Sequence, residues 1–184
     1  MKQPVQLIQE CINGDRRSQS ILYEQFSPKM YGVCLRYAKN REEAEEIMQE
    51  GFFQAFISLK NFKYAGSLEG WIRRIMVNTA IQHYRAKPKI RMHAIVDIRD
   101  LSEEQMINED ATGALYQKDL LKMIQILPPA CRMVFNLYVF EGMKHREIAA
   151  HLGISEGTSK SNFFDAKLIL QKAVTNSLKI AKNY

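Results

Sequence analysis

The sequence predicts an all-α protein built from two small helical domains joined by an acidic connector. Three observations carry that reading: apolar residues recur at spacings of three and four nearly throughout, strict apolar–polar alternation is almost absent, and charge divides the chain into three parts. The turns are marked by Asn13-Gly14-Asp15, Ser27-Pro28, Lys63-Tyr64-Ala65-Gly66-Ser67, Pro88, Pro128-Pro129, Glu141-Gly142 and Gly153, each of which pairs a breaker or turn residue with a change of helical phase. About eight or nine helices fit between these marks.

Residues 1–87 carry 13 basic and 9 acidic groups, residues 88–118 carry 4 and 6, and residues 119–184 carry 9 and 5. Two basic domains therefore flank an acidic connector. Within it, Asp97-Ile98-Arg99-Asp100-Leu101-Ser102-Glu103-Glu104 lacks a sustained apolar stripe and is expected to behave as a flexible linker, with the next helix starting somewhere in Asn108–Gln117. The chain of 184 residues is 46% apolar, enough for a core in each domain, and its net charge of +6 favours a polyanionic partner.

Several function classes drop out. No segment approaches the roughly 20 apolar residues of a membrane span, and Met1-Lys2-Gln3-Pro4 leads into a polar helix, so the sequence points to a cytoplasmic protein with no membrane insertion. Cys11, Cys34 and Cys131 are odd in number, far apart and set in apolar-periodic stretches, which suits small buried hydrophobes. His83, His93, His145 and His151 have no partners at ligand spacing, so no metal site is expected. A phosphate loop, a nucleophile elbow and a cysteine beside a base are all lacking, and neither an enzyme nor a cofactor is expected.

From Lys144 the spacing is that of a helix-turn-helix. Ala149 is small where two helices cross, Gly153 suits a left-handed helix end, Ile154 fits the corner, and Ser155 is placed to cap the second helix. In that helix Ser159, Phe163, Ala166 and Leu170 share one face, leaving Lys160, Ser161, Phe164 and Lys167 outward, where they could enter a major groove. The alternative is a plain helical hairpin with a solvated basic face.

In the first domain, Ala44, Ile47, Met48, Phe52, Ala55, Phe56 and Leu59 form a core stripe. The acids Glu42, Glu43, Glu45, Glu46 and Glu50 on the other side suit either a solvated face or a basic partner. The segment Leu68–Lys87 interleaves Trp71, Arg73, Arg74, Asn78, His83, Tyr84, Arg85 and Lys87 along one helix. Cations for phosphates and rings for unstacked bases together suit single-stranded DNA. The competing reading puts Trp71, Ile75 and Val77 in the core and the cations in water.

These motifs, taken in order, resemble an RNA polymerase sigma factor of the extracytoplasmic-function (ECF) type. Leu22-Tyr23-Glu24-Gln25-Phe26, Ala44-Glu45-Glu46-Ile47-Met48-Gln49-Glu50-Gly51-Phe52 and Phe62–Arg85, with its Gly70-Trp71-Ile72-Arg73-Arg74-Ile75 centre, are similar to that family's region 2. Leu127-Pro128-Pro129, Val139-Phe140-Glu141-Gly142-Met143 and the helix-turn-helix with Gly157-Thr158-Ser159-Lys160-Ser161 look like its region 4. The resemblance implies a region 2 domain over 1–87, a linker over 88–118 and a region 4 domain over 119–184. It implies that Glu46, Gln49 and Glu50 dock on the β′ clamp helices of core RNA polymerase, and that the second domain meets the β flap.

By the same resemblance, Asn61, Lys63, Trp71, Arg73, Arg74, Asn78, Tyr84 and Arg85 bind the minus-ten element as its strands open, a flipped base lodging beside the Asn61–Gly70 loop. Ser155, Thr158, Lys160, Ser161, Phe164 and Lys167 would read the minus-thirty-five duplex, the linker would enter the RNA exit path, and an anti-sigma factor would be a partner. Four positions depart from the family pattern. An apolar residue is usual at Ser159, basic residues are usual near Asn162 and Asp165, and a larger residue is usual at Gly51, where mid-helix glycine costs about 1 kcal/mol relative to alanine. Without the resemblance, a stand-alone helix-turn-helix regulator of duplex operators, or an adaptor with no DNA contact, would remain open.

Overall fold

The computed structural model describes residues 4–87 and 112–181. Among them the chain is helical, with eight α-helices, one 3-10 turn and no strand, so the all-α expectation holds. It divides into two compact units, Met1–Ala86 and Lys87–Tyr184. Of the acidic connector expected over 88–118, residues 88–111 lie outside the described residues, and the last seven, 112–118, already belong to helix α5, which begins at Thr112. No described helix is long and apolar enough to cross a membrane.

The first unit comprises α1 (Pro4–Ile12), α2 (Arg16–Tyr37), α3 (Arg41–Ser58), a 3-10 turn (Leu59–Asn61) and α4 (Leu68–Ala86). Two helix starts are set by side chains that accept from otherwise orphaned backbone donors. Asp15 accepts from the Ser18 N–H at 2.7 Å ahead of α2, and Asn40 accepts from the Glu43 N–H at 3.1 Å ahead of α3. Glu43 in turn accepts from the Lys39 N–H at 3.0 Å, tying the entry of α3 from both sides.

One expected break is absent. Ser27-Pro28 reads as a turn, yet α2 runs through it with Pro28 inside the helix. An internal proline costs about 3 kcal/mol because it removes one backbone bond and crowds the preceding turn. Burial outweighs that cost: Leu22 and Phe26 before Pro28, and Met30, Val33 and Cys34 after it, all lie in the core, and each large side chain contributes about 1.5–3 kcal/mol. Pro28 itself points to solvent.

Helices α2, α3 and α4 pack mutually around Leu22, Met30, Ile47, Phe52, Ala55, Leu59, Ile72, Met76 and Ala80. Gly51 is explained here. It is buried, and a Cβ at this position would collide with the thioether of Met76, itself wholly buried on α4. The glycine that weakens α3 as an isolated helix lets α4 come close.

The second unit comprises α5 (Thr112–Gln125), α6 (Pro129–Val139), α7 (His145–Leu152) and α8 (Glu156–Ala181). Pro129 opens α6 at its first position, where the missing N–H is no loss. Ile124, Leu127, Cys131, Val134, Leu137, Ile148, Leu152 and Ala166 form the core. Arg132 is buried with them, and its guanidinium donates twice to the Leu127 carbonyl, at 3.0 and 3.3 Å, holding the corner between α5 and α6.

All three cysteines are buried. Burial pushes the Cys34 thiol up to about 12, and burial aided by the Asp165 charge pushes Cys131 up to about 11, so both stay protonated and inert at neutral pH.

The Gly51–Met76 contact generates a test. Gly51→Ala is expected to lower stability by about 1 kcal/mol despite its better helix propensity, because overpacking a tight core costs about 1–3 kcal/mol. In a Met76→Ala background the same change is expected to be neutral or stabilising. Urea denaturation of the four proteins measures the coupling; purely additive effects would contradict the account.

Candidate nucleic-acid interface

The loop before α4 is closed by its own residues. Ser67 caps the helix, its hydroxyl accepting from the Gly70 N–H at 3.0 Å and its carbonyl from the Trp71 N–H at 3.1 Å. Lys29 of α2 meets Glu69 at 2.7 Å, an exposed pair that pins the loop's exit weakly. Tyr64 adopts a positive φ of 57°, unusual for a residue with a Cβ. That turn brings its ring to 5.0 Å from Phe62, which lies 5.5 Å from Trp71. Phe62, Tyr64 and Trp71 thus form a chain of tilted rings in which Tyr64 is half exposed.

The candidates on α4 separate into two groups. Arg74, Asn78 and Arg85 are exposed, and at offsets of four and eleven they share one face. Arg73 and Tyr84, eleven apart, are half-buried along another edge, as is Trp71 at the helix start. Apolar spacing on this helix predicts a buried stripe of Ile72, Ile75, Met76, Thr79 and Ala80; all are buried except Ile75, which is only half-buried, and Val77 is buried too. Asn61 and Lys63 are exposed beside the aromatic chain. Sequence reasoning does not mark Phe62 and Tyr64 as site residues, although two aromatics in a glycine- and serine-bearing loop ahead of Trp71 are the available signal.

On α3, Glu46, Gln49 and Glu50 are exposed. Glu50 also meets α4, with its Oε2 2.6 Å from Nε2 of His83. Phe53 and Ile57, 62% and 55% exposed, continue the Glu46–Glu50 row at helical spacing. The row is acidic in its first half and apolar in its second.

In the second unit the helix-turn-helix is formed by α7 and α8. Gly153 takes the left-handed conformation, with φ 66° and ψ 40°, at the end of α7, and the Ile154 N–H returns to the Ala149 carbonyl at 3.1 Å. Ala149 is buried and Ile154 half-buried at this corner. Ser155 caps α8: its hydroxyl accepts from the Thr158 N–H at 2.9 Å and lies 2.8 Å from the Thr158 hydroxyl. These two residues, read from the sequence as DNA contacts, thus hold the start of the helix together.

Lys160, Ser161, Phe164 and Lys167 are all exposed, Phe164 at 59%. Lys160 meets Glu156 at 2.7 Å, and this bond and its charge hold the Glu156 carboxyl below its ordinary value. Ser161 donates to the Thr158 carbonyl at 3.1 Å, and the Lys167 ammonium sits 5.8 Å from the Phe163 ring centre. Ser159, Phe163, Ala166 and Leu170 face inward, with Ser159 and Ala166 wholly buried. Asn162 is buried as well, so of the two positions where a basic residue is usual only Asp165 lies on the exposed surface.

Comparisons with known proteins give a consistent pattern. The family model Sigma-70 region 2 matches residues 22–89, and Sigma-70 region 4 matches residues 117–170. The RNA polymerase sigma-H factor of Pseudomonas aeruginosa is 28% identical over 195 aligned residues, covering 98% of each chain. The ECF RNA polymerase sigma factor SigE of Mycolicibacterium smegmatis is 33% identical over 146 residues, 76% of this chain and 55% of that one. A co-crystal structure of the sigma factor RpoE with the anti-sigma factor NepR from Bartonella quintana shares the fold at 19% identity and TM-score 0.50, covering 85% of this chain and 96% of that one.

The cap of α8 can be tested without DNA. Ser155→Ala is expected to lower stability by about 1 kcal/mol and Ser155→Asp to retain most of it, since aspartate caps as well as serine does. Thermal unfolding followed by circular dichroism reads the difference; an alanine variant as stable as the parent would contradict the capping role.

Proposed function

Since the chain belongs to the sigma-70 family, and within it to the sigma factors of the ECF type, we infer that it binds core RNA polymerase and directs promoter recognition, DNA melting and transcription initiation, with no catalysis of its own. The observation that carries this reading is the presence, in order, of regions 2 and 4 on two basic helical units. A stand-alone regulator is not favoured, because it has no use for a complete region 2.

The geometry supports the following assignment of roles. The loop bearing Asn61 and Lys63, the ring chain Phe62–Tyr64–Trp71 and the face carrying Arg74, Asn78 and Arg85 take the single strand of the minus-ten element. Rings supply sequence-tolerant stacking worth about 1–3 kcal/mol per base, and the cations follow the phosphates. Arg73 and Tyr84 line the edge of that surface. On α8, Lys160, Ser161, Phe164 and Lys167 enter the major groove of the minus-thirty-five duplex, with Ser155 and Thr158 at the phosphate-facing end of the helix.

Glu46, Gln49 and Glu50 meet the β′ clamp helices, and the second unit meets the β flap. The factor works in the cytoplasm, where polymerase and promoters are found. The Bartonella quintana neighbour was crystallised with an anti-sigma factor, and a protein of that kind is a partner here too.

The direct experiment is run-off transcription by purified core polymerase on upstream regions of the source genome, with and without this protein. Transcripts that depend on the protein are expected. Duplex binding by the protein alone, with no dependent transcript, would favour the stand-alone regulator.

A second experiment separates charge from stacking on α4. Arg74→Ala/Arg85→Ala is expected to reduce the salt dependence of open-complex formation by about 0.7 per lost phosphate contact, the single-strand value. Trp71→Ala is expected to weaken opening at every salt concentration and leave the slope unchanged. Equal slopes in all three proteins would contradict the division of roles.

A further inference from the structure

Ser159 is polar at a position where packing calls for an apolar side chain, and it is wholly buried on the inward face of α8. A hydroxyl taken out of water needs a partner. That partner comes from the first turn of α7, where His145 Nδ1 lies 3.0 Å from Ser159 Oγ. The His145 ring is itself held on two sides. It stacks on Tyr138 of α6 at 4.7 Å and 20°, and meets Phe163 of α8 edge-on at 5.7 Å and 63°. Tyr138 and Phe163 are 4.5 Å apart, and Phe163 carries the Lys167 ammonium over its face. Three helices therefore meet at one imidazole.

We infer that His145 is a positioning residue for duplex recognition: through its hydrogen bond to Ser159 it fixes the rotation of α8 and so aims Lys160, Phe164 and Lys167. The inference rests on the reading of α8 as the helix that enters the duplex. Ring contacts alone do not fix a rotation, since aromatic pairs are favourable over centroid separations of about 4.5–7 Å. A hydrogen bond is far narrower in distance and angle. A rotation of about 20° moves a side-chain tip at a helix's outer radius by about 2 Å, enough to lose a bond to a base edge. The directional contact therefore sets the aim, and it is attached at Ser159, next in sequence to Lys160.

The test uses holoenzyme assembled from core polymerase and the full chain, on a promoter identified by run-off transcription. The readout is the ratio of transcription from the natural upstream element to that from the same promoter with this segment randomised. His145→Phe keeps a stacking ring and loses the bond, whereas Ser159→Ala removes the bond from the other side with the least disturbance. Each is expected to lower the ratio about tenfold, the scale of one lost base-edge contact. The double variant is expected to lose no more than either single change. His145→Asn, whose amide can occupy the place of Nδ1, is expected to stay within about threefold of the parent. Thermal midpoints are measured for every variant.

Single variants that melt earlier yet keep the parental ratio would overturn the inference, since His145 would then only stabilise the fold. So would a double variant whose loss is the product of the two singles. A parental protein with no preference for its natural element would overturn the reading of α8 itself, and the inference with it.

Discussion

The approach of α3 to α4, where Gly51 leaves room for the buried Met76 thioether, is the constraint on which the presentation of the first unit's charged faces depends. It places the acidic row of α3 and the cationic face of α4 on two neighbouring helices whose relative positions leave little freedom. The Glu50–His83 pair crosses the same seam. An exposed pair of this kind is worth little by itself, about 0–1 kcal/mol, and the close packing beneath supplies the geometry it uses. Since Glu50 belongs to the row proposed to meet polymerase and His83 to the helix proposed to meet DNA, the seam joins the two proposed partner surfaces within the first unit.

The second unit solves a different problem with the same means. Its long helix α8 must present Lys160, Phe164 and Lys167 to water while burying Ala166 and Ser159. Backbone devices define where the helix begins: the left-handed Gly153 ends α7, and Ser155 starts α8. Side chains define how it is turned. The aromatic group of Phe135, Tyr138, His145 and Phe163 fills the junction of α6, α7 and α8, and the His145–Ser159 contact is the one proposed to orient it.

Much of this was legible in the sequence because it is local. Three- and four-residue apolar spacing identifies the core faces of α3, α4 and α8, and the Ala149–Gly153–Ser155 spacing identifies the helix-turn-helix and its cap. What was missed depends on residues far apart along the chain. Glu50 and His83 are 33 residues apart and His145 and Ser159 are 14 apart, so no periodicity links them. Gly51 reads as a defect until Met76 is set against it. Pro28 reads as a helix end because the local rule is strong, and only the burial on both sides of it shows why the rule yields. The ring chain of Phe62, Tyr64 and Trp71 depends on the positive φ of Tyr64, which residue type alone would not suggest.

The central claim is that this protein opens promoter DNA only as part of the polymerase. Permanganate reactivity of thymines across a dependent promoter tests it most directly, with core polymerase alone, the protein alone, and both together. The account predicts reactive thymines around the start site only when both are present. Reactive thymines with core polymerase alone, or a duplex that stays closed when both are bound, would contradict it.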